Sequence, residues 1–77
     1  GDNLRADELW IVKTQSTEQS AAMKAKAEAR IAQKAESLRL YIPEEYEVAI
    51  KGKVAQWGDY IVMVISRDND KVLSIFG

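Results

Sequence analysis

Hydrophobic and polar positions alternate with two different periods along the chain. A short apolar run at residues 9–12 combines β-branched and aromatic side chains and predicts a first strand. Residues 17 to about 41 are rich in alanine and in long charged side chains, which is typical of a helix. Residues 48–57 and 60–66 are again rich in β-branched and aromatic residues and predict two further strands.

The predicted long helix has a start signal, an apolar stripe and a stop signal. Ser16 and Gln19 have the spacing of a capping box, in which the serine side chain caps the helix. Pro43 should end the helix, because proline lacks an N–H group. The apolar stripe, which should face the core, comprises Ala27, Ile31, Ala35, Leu38 and Ile42.

The remaining segments carry turn signals. Residues 43–46 predict a tight turn, and Gly58-Asp59 predicts a short hairpin turn between the second and third strands. Asp68 or Asn69 could cap a short last helix. That helix would carry Val72, Leu73, Ile75 and Phe76.

These elements predict an α+β fold of order β-α-β-β-α. Residues 61–65 are apolar on both faces, so this strand should be central in a three-stranded antiparallel sheet of order 1-3-2. The long helix should pack on one face of that sheet. We expect residues 1–77 to form a single domain. Because the chain starts at Gly1, we also expect the natural protein to extend further on the N-terminal side.

The hairpin turn fixes which residues share a face of the sheet. It pairs Trp57 with Tyr60, and directly opposed residues lie on one face. The face that should take the helix comprises Val48, Ile50, Val54, Ile61, Met63 and Ile65. The other face should form a contact surface, because one helix cannot cover both sides. Its residues are Trp10, Trp57, Tyr60, Val62 and Val64.

Three covers for that contact surface remain open. The last helix could fold over it, a second copy of the chain could form a homodimer there, or the N-terminal part of the natural protein could lie on it. The contact surface could also bind an unidentified protein partner. The sequence does not distinguish these covers.

Composition excludes several kinds of chemistry. The chain has no Cys and no His, so it lacks thiolate nucleophiles and the commonest general base and transition-metal ligand. Eleven Lys and Arg against twelve Asp and Glu give no basic excess, and we expect no nucleic-acid partner. No apolar run is long enough for a transmembrane segment. We predict no catalytic, cofactor-binding or metal-binding residues and no cofactor.

Three charged groups leave alternatives open. Glu44, Glu45 and Glu47 follow Pro43, and paired carboxylates can act as general acid and base, but a solvated loop is the simpler interpretation. Asp68, also considered for an enzyme, begins an Asp-Asn-Asp run that better fits a helix cap than a calcium loop. A stripe that could bind anionic polymers or membranes comprises Lys24, Lys26, Arg30 and Lys34.

Three segments of the chain resemble a known family. They are residues 6–13, the Tyr-Ile-Pro-Glu-Glu-Tyr-Glu turn at 41–47, and the hairpin at 57–66 with its Gly-Asp-Tyr turn. Over residues 4–76 the chain is similar to the bacterial domain of unknown function numbered 4358. The resemblance implies an exported protein of Gram-positive bacteria. It also implies an extracytoplasmic location with a lipid anchor on a preceding N-terminal region. The family has no established activity, so it assigns no functional residue.

We therefore expect a non-enzymatic, extracytoplasmic binding or assembly domain of a bacterial lipoprotein. One alternative is a carboxylate-based enzyme or enzyme accessory domain. The other is peripheral binding to an anionic polymer or membrane surface.

Overall fold

The structure is a computed structural model that describes residues 5–76. Its strands are β1 (Glu8–Lys13), β2 (Lys53–Trp57) and β3 (Tyr60–Ile65). Its helices are α1 (Thr17–Leu38), α2 (Pro43–Ala49) and α3 (Asn69–Leu73), and a 3₁₀ turn, Ser74–Phe76, follows α3. The fold is α+β, as predicted.

The three strands form one antiparallel sheet of order β1-β3-β2, which confirms the predicted topology. All five residues at positions 61–65 of the central strand are buried. The hairpin register pairs Trp57 with Tyr60 and Lys53 with Val64, as the two-residue turn predicts. Gly58 supplies the positive φ, +57°, that this turn needs.

Helix α1 begins and packs as its sequence predicts. The Ser16 hydroxyl accepts a hydrogen bond from the Gln19 N–H, and the Gln19 side chain accepts one from the Gln15 N–H. Four residues of the predicted stripe are buried in one core with Met63 and Ile65 of the sheet. They are Ala27, Ile31, Ala35 and Leu38. The helix thus covers one sheet face, and it ends at Leu38 rather than near Tyr41.

Pro43 begins a helix as well as following one, and this corrects two predictions. Residues 43–49 form α2 with Pro43 in its first turn, where a missing N–H costs nothing. Glu44 and Glu45 also lie in that turn, where negative charge favours a helix. The predicted tight turn at 43–46 and the strand assignment of 48–52 were therefore wrong. Val48 and Ile50 lie outside the sheet.

Asp68 caps the last helix, α3, and its side chain accepts a hydrogen bond from the Lys71 N–H. This confirms the predicted cap. The following turn brings the Phe76 ring to the edge of Trp57, with ring centroids 6.3 Å apart. The C-terminal segment therefore covers part of the sheet face that α1 leaves open.

Candidate functional site

The sheet face opposite α1 is set by the register of all three strands. Leu9, Ile11 and Lys13 of β1 lie opposite Val64, Val62 and Tyr60 of β3, respectively. The same three β3 residues lie opposite Lys53, Ala55 and Trp57 of β2. Since opposed residues share a face, these nine residues form one surface, which we call the open face.

Trp10 is not part of the open face, and its predicted place there was wrong. It lies opposite Met63, on the side of the sheet that α1 covers, and packs against the main core. Its indole N–H donates to the Glu8 carboxylate at 2.9 Å. No short turn joins β1 to β3, so the sequence does not fix which side of β1 faces the helix. The run at 9–12 is apolar on both sides, so Leu9 and Ile11 were missed.

The open face is partly buried and partly exposed. Val62 and Val64 have at most 1% of their surface exposed, so neither can be a direct contact residue in this structure. Leu9, Ile11 and Trp57 are each about half exposed, at 51%, 50% and 52%. Of the five predicted contact residues, only Trp57 is strongly exposed on this face, and Tyr60 is half-buried beside it.

Aromatic neighbours hold Trp57 in place. Its ring lies 6.0 Å from Tyr60 and 6.3 Å from Phe76, within the range of attractive aromatic pairs. A tryptophan fixed before binding loses little conformational freedom when a partner covers it. Trp57 is therefore a ready anchor at the β2 side of the open face.

The backbone of β1 is unpaired on its outer side, since the sheet described for residues 5–76 ends at this strand. The Thr14 N–H donates to the Asp59 carbonyl at 2.8 Å, so the backbone of Thr14 points toward the β2–β3 hairpin. Backbone direction alternates along an antiparallel strand. The N–H and C=O groups of Leu9, Ile11 and Lys13 consequently point outward.

A charged cluster fastens β1 to α1 on the covered face. Arg30 binds both oxygens of the Glu8 carboxylate at 2.8 Å, and the Lys34 ammonium lies 3.2 Å away. The Arg30 hydrogen bonds lower the pKa of Glu8 to about 2; partial burial opposes them and Lys34 reinforces them. This cluster uses two of the four cations in the stripe proposed for anionic surfaces.

The carboxylates considered for catalysis have structural partners. Glu45 is buried rather than solvated; its carboxylate accepts a hydrogen bond from the Ala6 N–H at 2.8 Å and pairs with Arg67. The Ala6 N–H and then the Arg67 guanidinium lower the pKa of Glu45. Asp68 caps α3, and Glu44 is exposed in the first turn of α2.

Neither a metal-binding cluster nor a membrane-spanning helix is found among residues 5–76. Over that range, acidic side chains do not cluster in a group able to hold a metal ion. None of the helices in the same range has the length and apolar composition needed to cross a bilayer.

Comparison with curated proteins and with solved structures gives no match for this chain. A family model does match, over residues 1–66, and it is described as Domain of unknown function (DUF4358). The match spans the strand β1, the long helix, α2 and the hairpin, which include the segments that carried the resemblance. The chain therefore belongs to the DUF4358 family.

Proposed function

We propose that this chain is a non-enzymatic assembly domain that contacts another protein chain through the open face. The observation that carries the proposal is the exposure of Leu9, Ile11 and Trp57 on the same side of the sheet. Single exposed apolar residues are ordinary on a protein surface, whereas apolar residues clustered on one face mark contact sites.

The chemistry of the open face favours a protein partner. Trp57 and Tyr60 are of the residue types enriched at the energetic centres of protein interfaces. The positive charge of Lys53, at the β2 edge, is paired with Asp70 at 2.6 Å. Exposed apolar side chains with few unpaired charges beside them suit contact with another apolar surface better than contact with an anionic polymer.

A carboxylate-based enzyme is the weaker alternative. The Glu45 carboxylate binds the Ala6 N–H and Arg67, and Asp68 accepts from the helix backbone. Both groups hold parts of the chain together, and the Glu44 side chain is exposed in the first turn of α2. Nothing in this arrangement favours proton transfer to a substrate over a structural role.

Binding to an anionic surface through α1 is likewise less well supported. Arg30 and Lys34 both bind Glu8, so one carboxylate offsets much of their charge. Lys24 and Lys26 are exposed but share the helix surface with Glu28. A cationic stripe of this kind is weaker than its sequence suggests.

We also propose, on the family resemblance alone, an extracytoplasmic location with a lipid anchor preceding this domain. In the cells that produce it, the protein should be found in the membrane fraction. It should be digested when intact cells, freed of their wall, are treated with protease. Protection from protease in those cells would contradict the proposal.

Site-specific photo-crosslinking in the producing cells tests the assembly function. A photoreactive amino acid at Leu9 or Trp57 should give crosslinked protein adducts. The same group at Glu28 or Ser37, which are exposed on α1, should give few. Thermal unfolding of each variant shows whether the fold is kept. Equal crosslinking from both faces, or none from the open face of folded variants, would overturn the proposal.

A further inference from the structure

We propose that a second copy of this chain binds at the β1 edge of the open face, through antiparallel pairing of the two β1 strands centred on Ile11. The two sheets would then form one six-stranded sheet with both open faces on the same side. This inference rests on the assembly function proposed above and names its partner and its geometry.

The outward backbone groups of β1 fit this register. In a two-fold symmetric pair centred on Ile11, each Ile11 faces its own counterpart and Leu9 faces Lys13 of the second copy. These are the residues whose N–H and C=O groups point outward. Each opposed pair can therefore exchange two backbone hydrogen bonds, as the hydrogen-bonded pairs of an antiparallel ladder do.

The side chains also complement one another in this register. Ile11, half exposed in one copy, would pack on Ile11 of the second copy, and Leu9 would pack on the aliphatic part of Lys13. The Lys13 ammonium would lie diagonally from Asp7 of the second copy, within reach of a long side chain. Asp7 has 41% of its side chain exposed, and the two arginines that contact it, Arg67 at 3.0 Å and Arg5 at 3.5 Å, both do so at Oδ1. Opposite charges therefore meet at both ends of the interface.

The β1 edge is a better site for pairing than the β2 edge. Strand β1 carries no proline or glycine, and its one exposed charge, Lys13, lies at the end of the strand, where it would oppose Leu9 of the second copy. The Glu8 charge points to the covered face, where Arg30 and Lys34 neutralise it. By contrast, β2 carries Lys53 and Gln56, and the Lys51 carbonyl just before it already accepts from Asn69.

The register is specific because a shift by one residue reverses side-chain direction. Such a shift would set the apolar open-face residues of one copy against the covered-face residues of the other. A six-residue strand buries less area than a standard protein interface, so the dimer should be weak. We expect a dissociation constant of about 10–1000 μM.

Disulfide trapping tests the register directly, since the chain has no Cys. In the proposed dimer the two Cα atoms at position 11 are about 5.5 Å apart, which suits a disulfide. Those at position 9 are offset by four residues, or about 13 Å. Leu9→Cys is a matched control because Leu9 and Ile11 are equally exposed. Under mild oxidation, Ile11→Cys should form a covalent dimer at least tenfold faster than Leu9→Cys.

A mixture of Leu9→Cys and Lys13→Cys chains should also form a heterodimer quickly, because these positions are opposed in the proposed pairing. Similar oxidation rates for Ile11→Cys and Leu9→Cys would reflect random collision and overturn the proposed register. Sedimentation of the unmodified chain from 10 μM to 1 mM supplies an independent readout that needs no substitution. A monomer throughout that range would overturn the second copy as partner.

Failure of this inference and failure of the assembly function give different results. A monomer in sedimentation, together with open-face crosslinks in cells to a different protein, would refute the homodimer and leave the assembly function standing. The homodimer would be supported when the group at Leu9 crosslinks in cells to a second copy of the chain, because Trp57 lies in β2, at the sheet edge away from the paired β1 strands. Absence of any open-face crosslink would instead count against the assembly function.

Discussion

Arg30 in the long helix holds both carboxylate oxygens of Glu8 in β1, with Nε–Oε2 and Nη2–Oε1 distances of 2.8 Å. Planar two-point pairing of this kind fixes orientation as well as distance. Strand β1 pairs with only one neighbour in the described sheet, so this contact is a second attachment of the edge strand. It also fixes Trp10, which donates to the same carboxylate, on the covered face.

Replacing this carboxylate should destabilise the fold at neutral pH. Glu8→Gln keeps the size of the side chain but leaves Arg30 and Lys34 without a counter-charge. We expect a loss of about 1–3 kcal/mol in the free energy of unfolding at pH 7, measured by chemical denaturation. Glu28→Gln, on the exposed surface of α1, is the matched control and should change stability by less than about 0.5 kcal/mol.

The same substitution should reduce the dependence of stability on pH. Folding lowers the pKa of Glu8 from 4.5 to about 2, so its contribution is present above pH 4.5. The contribution is lost as the pH falls from 4.5 toward 2. The difference in unfolding free energy between the unmodified chain and Glu8→Gln should therefore shrink over this range. A constant difference would mean that the charge of Glu8 is not responsible.

Glu45 should hold in place the segment that precedes β1. Its carboxylate accepts from the Ala6 N–H at 2.8 Å and pairs with Arg67 after β3. Glu45→Ala should speed hydrogen exchange at the Ala6 amide several-fold, whereas Glu45→Gln keeps an acceptor oxygen and should have a smaller effect. Glu44→Ala, one residue earlier and exposed, is the control.

The hydrogen-exchange protection of the Ala6 amide should also depend on pH, and the direction of that change follows from the pKa of Glu45. The pKa of Glu45 is lowered by folding, so protection of that amide should be full above the ordinary carboxyl pKa. Protection should fall as the pH drops below that value. Loss of protection on raising the pH from 5 to 7, after correction for intrinsic exchange, would contradict this assignment.

The sequence predicted those parts of the fold that depend on local pattern. The stripe on α1 and the capping box are local, and the two-residue turn at Gly58 fixes how β2 faces β3. The placement of β1 depends on contacts between residues that are distant in sequence. The helices α1 and α2 lie between β1 and β3, and 46 residues separate Lys13 from Tyr60. An apolar run with no polar side leaves both orientations of β1 acceptable, and Trp10 was placed on the wrong face for that reason.

Pro43 shows a second limit of local pattern. Proline ends a preceding helix and is also common in the first turn of a new one. The Glu44-Glu45 pair after it is a helix-start signal that an interpretation as a turn leaves unused. The burial of Glu45 depends on Ala6 and Arg67, which are distant in sequence, so no neighbouring residue reveals it.

Gly52 lies where the chain enters β2, and a side chain there should strain the core. A Cβ atom on Gly52 would lie 3.0 Å from Cγ1 of Ile65 and 3.1 Å from two side-chain carbons of Ile31. We expect Gly52→Ala to cost about 1–3 kcal/mol in the free energy of unfolding. Ile31→Val removes one of the crowding carbons, so the double variant should lose less than the sum of the two single losses.

Gly58→Ala is a control for Gly52→Ala, because it introduces backbone strain without crowding any neighbouring side chain. A Cβ atom on Gly58 would meet nothing within 4 Å, but its φ of +57° disfavours any other residue. This variant should cost about 1 kcal/mol, and Ile31→Val should not alter that cost. Additive losses for Gly52→Ala and Ile31→Val would show that Ile31 does not crowd position 52.

Thr14 joins three elements through one buried hydroxyl. Its hydroxyl donates to the Asp59 carbonyl in the hairpin turn at 3.0 Å and therefore accepts from the Ser20 hydroxyl in α1 at 2.6 Å. Thr14→Val keeps the shape and removes both bonds, which leaves the buried Ser20 hydroxyl unpaired. We expect a loss of about 1–3 kcal/mol in the free energy of unfolding. Thr14→Ser keeps the hydroxyl and should cost about 1 kcal/mol, for one lost methyl group.

A double variant shows whether the unpaired hydroxyl is the cause. Ser20→Ala removes the group that Thr14→Val leaves without a partner, so the double variant should be more stable than Thr14→Val alone. Chemical denaturation of the four proteins gives the coupling energy between the two positions. Losses that simply add would mean that the two hydroxyls do not interact. The end of β1 would then be held to α1 and the hairpin by its backbone bond to Asp59 and by packing.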